Sequence, residues 1–145
     1  AHFHNLEESL VAVVTAMKHQ PSACELMDKI ILDCTKENID EASRKNRSIL
    51  DRIDAIIAQY DLPAHTVQLG AKGCITWSRD RVRNYRDYKA TDFELAYAQW
   101  VWGINRGILL PPGLDEQWLI SVQTTEEDCD QLVDVFKTFV EELVS

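Results

Sequence analysis

Two histidines at the start of the chain, His2 and His4, have a spacing that could bind a metal ion. On a strand, residues i and i+2 point to the same face, and histidine nitrogens are common metal ligands. No third ligand accompanies them, and chain ends are poor platforms because they are often loosely held. We therefore interpret both as exposed terminal side chains and predict no metal site, with metal binding at His2 and His4 as the alternative.

A second candidate is the glycine-rich segment 70–73, Gly70-Ala71-Lys72-Gly73. It has some likeness to a phosphate-binding loop, but the full Walker spacing is missing, and the run that follows favours a strand rather than a helix. The β-prone runs Thr66–Leu69 and Cys74–Trp77 flank it on either side. This arrangement is typical of a hairpin, so we predict a turn between two short strands.

The four cysteines offer no recognisable catalytic or metal-binding pattern, since no CxxC pair exists. Apolar surroundings raise the pKa of a thiol and so suppress its reactivity. We therefore predict buried, reduced thiols at the four positions, which are Cys24, Cys34, Cys74 and Cys129.

Adjacent acid pairs such as Glu126-Glu127 point apart on a helix, and acids in a first turn stabilise the helix dipole. No acid or base therefore has an evident partner. We predict no catalytic residue, no bound cofactor and no enzymatic activity.

Basic and aromatic residues alternate in segment 79–89, a mixture that could grip an anion or single-stranded nucleic acid. The whole chain, however, has 15 basic against 24 acidic residues and a net charge of −9, which repels phosphate backbones. We predict a solvated loop braced by Arg–Asp pairs, and no nucleic-acid binding. The residues are Arg79, Asp80, Arg81, Arg83, Tyr85, Arg86, Asp87, Tyr88 and Lys89.

Length and composition indicate a single globular domain over residues 1–145, because 145 residues with 46% apolar and 27% charged are typical of one packed domain. No apolar run approaches the ~20 residues that span a bilayer. The first residues do not resemble a secretion signal. We expect a cytoplasmic protein without membrane association.

Helical spacing of apolar residues and capping residues predict helices over 6–19, 29–36, 40–60 and 92–106, and a last helix capped by Thr124 with Glu127. Asn5 with Glu8 is the predicted cap of helix 6–19, and Asp28 is that of helix 29–36. Thr91 with Glu94 is the predicted cap of helix 92–106. Beyond the hairpin, strands are predicted at 22–27, 108–110 and 118–122. Hairpin-paired strands with long helices between them imply an α+β fold, a two-layer sandwich with a mainly antiparallel or mixed sheet.

Helix 92–106 carries apolar residues on two opposite sides, so it must be covered twice. One stripe contains Phe93, Tyr97, Trp100, Val101 and Ile104, and the other contains Leu95, Ala98 and Trp102. An exposed tryptophan in an apolar patch often marks an interface. We predict that the second stripe, at Leu95 and Trp102, contacts the N-terminal segment or a second copy of the chain in a homodimer.

Residues 45–145 resemble the C-terminal small domain of class III pyridoxal-phosphate aminotransferases, the group that includes glutamate-1-semialdehyde aminomutase. The resemblance covers about two-thirds of the chain, in the right order and spacing. In that family the Schiff-base lysine, the acid at the pyridine nitrogen and the phosphate cup lie in the preceding large domain, so the resemblance assigns no cofactor role here. The matching stretches are Ile57–Pro63, Leu69–Gly73, Arg83–Tyr88, Asn105–Pro111 and Thr124–Asp128.

Residues 1–40 resemble a different family, a segment of FAD-linked oxidases of the D-lactate dehydrogenase type. The similar stretches are Phe3–Leu10, Pro21–Asp28 and Ile31–Lys36. Because the two families share neither cofactor nor chemistry, we predict a chimeric or designed structural protein joined near residues 36–46. The alternative is a natural or truncated C-terminal aminotransferase domain that acts as a binding or interaction module.

Overall fold

The computed structural model of the protein describes residues 3–20, 29–111 and 117–145. The chain divides into two compact units, residues 1–36 and residues 37–145. The sequence predicts one domain over residues 1–145, and this division does not test that prediction.

The described part of the first unit contains helix α1, Leu6–Met17, which confirms the helix predicted over 6–19. The Asn5 side chain accepts a hydrogen bond from the Glu8 backbone N–H at 2.8 Å, as the predicted cap requires. The Glu8 carboxylate accepts from the His4 N–H at 3.2 Å rather than from Asn5, so the reciprocal half of the capping box forms one residue earlier. The strand predicted at 22–27 and its following cap Asp28 lie outside the described residues.

Helix α2, Lys29–Gln59, is one continuous helix where the sequence predicts two. The stretch between the predicted helices contains neither glycine nor proline, so nothing in it interrupts the hydrogen-bond ladder. The helix ends where the Leu62 N–H returns to the Ile57 carbonyl at 3.0 Å and Asp61 takes φ +48°. Pro63, which cannot continue a helix, follows at a bend in the chain.

Three antiparallel strands form the sheet in the order β1-β2-β3. Strands β1, His65–Leu69, and β2, Lys72–Thr76, make the predicted hairpin, with Gly70 at φ +58° in its two-residue turn. Strand β3, Trp118–Leu119, pairs with the start of β2 and is shorter than the predicted 118–122. Hydrogen bonds between Ser121 and Thr124 bend the chain directly after β3.

The predicted strand at 108–110 is wrong. Helix α4, Phe93–Ile104, ends at Gly107, which has φ +84°, and the Ile108 N–H bonds back to the Gly103 carbonyl at 2.9 Å. Gly107 thus ends the helix directly after the predicted span 92–106. Because the Leu110 carbonyl accepts from the Trp100 indole at 3.1 Å, it is taken by a side chain instead of a sheet partner.

Both remaining predicted caps are displaced by one residue. Asp92, not Thr91, caps α4 by accepting from the Leu95 N–H at 3.0 Å. The last helix, α5, Glu126–Leu143, has a full capping box between Thr125 and Asp128 instead of the predicted Thr124 and Glu127. These bonds to the ionised carboxylate lower the pKa of Asp128 below its usual value. A short helix, α3, Tyr85–Tyr88, lies within the segment predicted to be irregular.

The core of residues 37–145 lies between the sheet and helices α2 and α5, which confirms the predicted α+β fold. Trp77, directly after β2, is almost completely buried and packs edge-on against Phe139 at 5.9 Å between ring centroids. Its indole N–H donates to the Gln99 side chain of α4 at 2.8 Å. Burial of the tryptophan and its satisfied polar atom together hold α4 and α5 to the sheet.

Asn46, in the middle of α2, is completely buried and uses both ends of its amide. Its Nδ2 donates to the carbonyls of Gly70 and Lys72 at 2.9 Å each, and its Oδ1 accepts from the Trp118 indole at 2.7 Å. One side chain therefore joins the longest helix to the hairpin turn and to the third strand. A buried polar network with all its bonds made favours one register over all others.

We expect Asn46→Ala to lower the free energy of unfolding by about 2–4 kcal/mol, because it leaves the buried Trp118 indole N–H without its acceptor and removes a donor from the carbonyls of Gly70 and Lys72. Urea denaturation followed by circular dichroism measures the change. Ser48→Ala, at an exposed position on the same helix, is the control and should shift stability by less than about 0.5 kcal/mol. Equal midpoints for wild type and Asn46→Ala would show that the network does not hold the sheet in place.

Candidate functional site

The outer face of the sheet is an exposed apolar surface. Residues directly opposite in an antiparallel pair share a face, and Lys72 lies opposite both Leu69 and Leu119, while Val67 lies opposite Cys74. The exposed fractions are 46% for Val67, 80% for Leu69 and 69% for Leu119. We call Val67, Leu69, Lys72, Cys74 and Leu119 the outer sheet face; only its single lysine is charged.

The opposite face of the same sheet is packed. Gly73 lies under the Trp118 indole so closely that a Cβ atom at position 73 would be 2.6 Å from the ring. Gln68 donates to the Ser43 carbonyl of α2 at 3.3 Å, and Thr66 donates to Asp54 of α2 at 2.9 Å. The sheet is therefore covered by helices on one side, while its other side leaves three large apolar side chains in solvent.

Sequence reasoning missed the outer sheet face. The alternation Thr66-Val67-Gln68-Leu69 carries the signal, because a period of two predicts that Val67 and Leu69 share one face. Their paired neighbours become visible only once the register is fixed, since Leu119 comes from a strand fifty residues away in the chain.

The structure places Leu95 and Trp102, the predicted interface residues, on the side of α4 that packs against the core. The Trp102 ring meets Phe139 of α5 edge-on at 6.0 Å, and the Arg106 guanidinium lies 3.3 Å from its centroid. The exposed stripe of α4 is the other one, where Tyr97 is 58% exposed. Helix α5 thus covers a face that the sequence assigned to the N-terminal segment or a second copy. The homodimer contact at Leu95 and Trp102 stays a prediction.

We expect Trp102→Ser to lower the free energy of unfolding by about 1–3 kcal/mol, because it removes a half-buried ring that contacts Phe139 and Arg106. Tyr97→Ser, on the exposed stripe, is the matched control and should change stability by less than about 0.5 kcal/mol. Thermal melting gives the stability. Size-exclusion elution of both variants tests the homodimer, since loss of a Trp102 contact between copies would delay elution.

No cluster of three or more metal-ligating side chains occurs among the described residues. His4 is exposed, and His2 lies outside the described range, so the predicted alternative of metal binding by this pair stays undecided. His65, which the sequence did not single out, lies within hydrogen-bond distance of the Ser78 carbonyl through Nδ1 at 2.7 Å. This bond links the start of β1 to the residue that follows Trp77.

The two described thiols form no disulfide. Cys129 is buried in α5, and burial raises its pKa above the usual value, with the nearby Glu126 carboxylate adding to the effect. Cys74 is half-buried, and its sulfur lies 4.0 Å from the Thr76 hydroxyl. The prediction of a buried thiol is thus confirmed at Cys129 but not at the half-buried Cys74, while the side chains of Cys24 and Cys34 lie outside the described residues.

Segment 79–89 is exposed along nearly its whole length. Arg79 binds the Asp61 carboxylate at 2.9 Å, and this guanidinium lowers the pKa of Asp61 below its usual value. Asp87 accepts from the Arg83 N–H and from the Asn84 amide, both at 3.0 Å. An arginine–aspartate pair therefore braces the segment, as predicted, but Asp61 comes from the end of α2 and not from the segment itself.

No helix within the described ranges is long and apolar enough to cross a membrane.

No protein-family model matches the sequence. Among curated proteins, glutamate-1-semialdehyde 2,1-aminomutase 2 of Halalkalibacterium halodurans is 25% identical over 104 residues, covering 72% of this chain and 24% of that protein. The aminomutase 2 of Geobacillus kaustophilus is 29% identical over 100 residues, covering 68% of this chain and 23% of that protein. The chain thus spans about a quarter of the length of the curated relatives it matches.

Solved structures show the same fold. A glutamate-1-semialdehyde aminomutase from Pseudomonas aeruginosa superposes with a TM-score of 0.69 at 20% identity, covering 75% of this chain and 24% of that one. A β-phenylalanine aminotransferase from Variovorax paradoxus gives a TM-score of 0.64 at 18% identity, covering 70% of this chain and 23% of that one. The chain is therefore similar to the C-terminal region of aminomutase-like class III aminotransferases, as the sequence motifs indicate. The likeness of residues 1–40 to FAD-linked oxidases stays a prediction.

The described lysines do not fit a pyridoxal-phosphate site. A Schiff-base lysine needs a free amine in an enclosed pocket. Lys45 is the one described lysine of residues 37–145 that is largely buried, and its ammonium is held by the Thr124 carbonyl at 2.9 Å and the Glu41 carboxylate at 3.1 Å. Lys72, Lys89 and Lys137 are exposed. We therefore derive no reaction step through this cofactor.

Proposed function

We propose that residues 37–145 serve as a C-terminal interaction domain of the class III aminotransferase type, without autonomous catalytic activity. The observation that carries the proposal is the uncovered outer sheet face, with its exposed side chains Val67, Leu69 and Leu119. A sheet packed on one side by its own helices and apolar on the other is suited to docking against a second body.

The partner that fits is a larger domain of the kind that makes up the rest of the relatives' length. The curated relatives extend over about four times the length matched here. Burying a leucine side chain fully contributes about 1.5–3 kcal/mol, so Leu69 and Leu119 would together contribute about 3–6 kcal/mol to such a contact. In such a complex this chain would contribute a complementary apolar surface, and its partner would supply the catalytic groups.

One observation also favours a chimeric or designed protein as a second candidate. The division into compact units falls after Lys36, at the edge of the 36–46 interval where the two family likenesses meet. Helix α2 runs across that interval without a break, and a join within a helix needs only two stretches of helix-forming sequence. A chain of that origin would be a structural protein with no partner of its own.

We expect the full chain to bind the N-terminal three quarters of the Halalkalibacterium aminomutase, truncated where the match begins and supplied in trans. The measurement is co-elution with light scattering, followed by titration. The double variant Leu69→Ser, Leu119→Ser should bind at least about tenfold more weakly, because it removes the apolar centre of the contact. Leu109→Ser is the matched control, since Leu109 is 83% exposed but lies off the sheet.

Circular dichroism confirms that each variant folds, which is expected because all three leucines are exposed. If the wild-type chain does not co-elute, or if the double variant binds as well as the wild type, the docking proposal is wrong. The absence of autonomous activity is tested separately with the full chain and added pyridoxal phosphate. A saturable visible absorbance band that persists through desalting would contradict it.

A further inference from the structure

Segment 79–89 concentrates positive charge on an otherwise acidic protein. It holds five of the 15 basic residues of the chain within eleven positions, against two aspartates, while the whole chain has a net charge of −9. Of the five cations, Arg79 is occupied by Asp61. The other four, which we call the basic patch, are exposed: Arg81, Arg83, Arg86 and Lys89.

The four cations of the basic patch form no ion pairs among the described residues. In the part of the chain that the structure describes, no carboxylate lies within ion-pair distance of any of its four cations. The nearby Asp87 carboxylate already accepts from the Arg83 backbone N–H and the Asn84 side chain. Among the described residues, the one contact of a charged end is that of the Lys89 ammonium with the Tyr85 ring of the same segment, so ion pairing within the fold does not account for this cluster of like charges.

The segment that carries the patch is nevertheless held in one conformation. Tyr88 packs edge-on against Phe93 of α4 at 5.2 Å, which anchors the C-terminal end of the segment. Arg79 binds Asp61 at the N-terminal end, and the Asp92 N–H donates to the Trp77 carbonyl at 2.9 Å, which joins the residues that flank the two ends. A surface that is already ordered loses less conformational entropy when it binds, so bracing of this kind favours recognition.

The aromatic residue on the surface of the patch is Tyr85, which is 74% exposed. Tyrosine and arginine are the residue types that protein interfaces favour. One side of the Tyr85 ring is stacked with Tyr88 at 6.3 Å, and the Lys89 ammonium lies 6.0 Å from its centroid. The ring faces are thus partly taken, which disfavours the stacking of nucleic-acid bases on them.

From this geometry we infer that the basic patch with Tyr85 binds an acidic protein segment, one with clustered aspartate or glutamate side chains. Each arginine offers a planar fork of donors that matches a carboxylate. A long phosphate backbone would extend over the acidic remainder of this protein and be repelled by it, whereas a short run of carboxylates would not. The inference does not depend on the proposed docking of the outer sheet face, which uses different residues.

The test uses the full chain and a fluorescein-labelled decaglutamate peptide, with binding followed by anisotropy at low ionic strength. The triple variant Arg83→Gln, Arg86→Gln, Lys89→Gln should weaken binding by at least about tenfold, because it removes three of the four cations. The matched control is Arg44→Gln, Arg47→Gln, at two exposed cations of α2. It should leave binding within about twofold of wild type.

Tyr85→Ala adds a second readout, since simple charge attraction would not respond to it, whereas an interface that uses the ring should weaken several-fold. Three results would each overturn the inference. They are no saturable binding by the wild type, an equal loss in the α2 control, and tighter binding of an oligothymidylate of matched length, which would assign the patch to nucleic acid. Melting temperatures equal to that of the wild type establish that the exposed substitutions leave the fold intact.

Discussion

The buried amide of Asn46 is the interaction on which the second unit depends, because it joins three parts of the chain that lie far apart in the sequence. It donates to both ends of the hairpin turn and accepts from the indole of Trp118. Strand β3 is only two residues long and pairs with β2 through just two residue pairs. Backbone pairing of that extent is too small to define a register, so the side-chain network supplies what the strand lacks.

The same arrangement explains why the sheet has one packed side and one bare side. With Trp118 drawn inward to Asn46, the alternation of the strand turns Leu119 outward, in line with Leu69 across Lys72. The inner face therefore gains a tryptophan and a satisfied polar network, and the outer face gains exposed leucines. The exposed apolar surface is in this sense a consequence of the bond that holds the third strand.

Local sequence signals were sufficient wherever a structure depends on neighbours in the chain. The hairpin around Gly70, the helix end at Gly107 and the apolar stripe of α5 all follow from spacing and residue type. The strand predicted at 108–110 was not formed because the Trp100 indole takes the Leu110 carbonyl, a contact that no local pattern reveals. The same limit applies to α4, whose two apolar stripes are equivalent in sequence until the position of α5 decides which is covered.

The two candidate surfaces also differ in how far the sequence alone predicts them. The basic character of segment 79–89 was visible in the sequence, but its bracing by Asp61 was not, since that partner comes from a different helix. The outer sheet face needed the register of all three strands before its members could be recognised as neighbours. The charge of one continuous segment can be predicted from its sequence, whereas a surface built from distant segments can be recognised only once the fold is known.

The contact between Gly73 and Trp118 constrains how this sequence can diverge. A methyl group at position 73 would collide with the indole ring, so any larger residue there requires a smaller one at position 118. Replacing the indole, in turn, leaves the Asn46 oxygen without its donor. The three positions are therefore coupled, and a substitution at any one of them limits which residues the other two can hold.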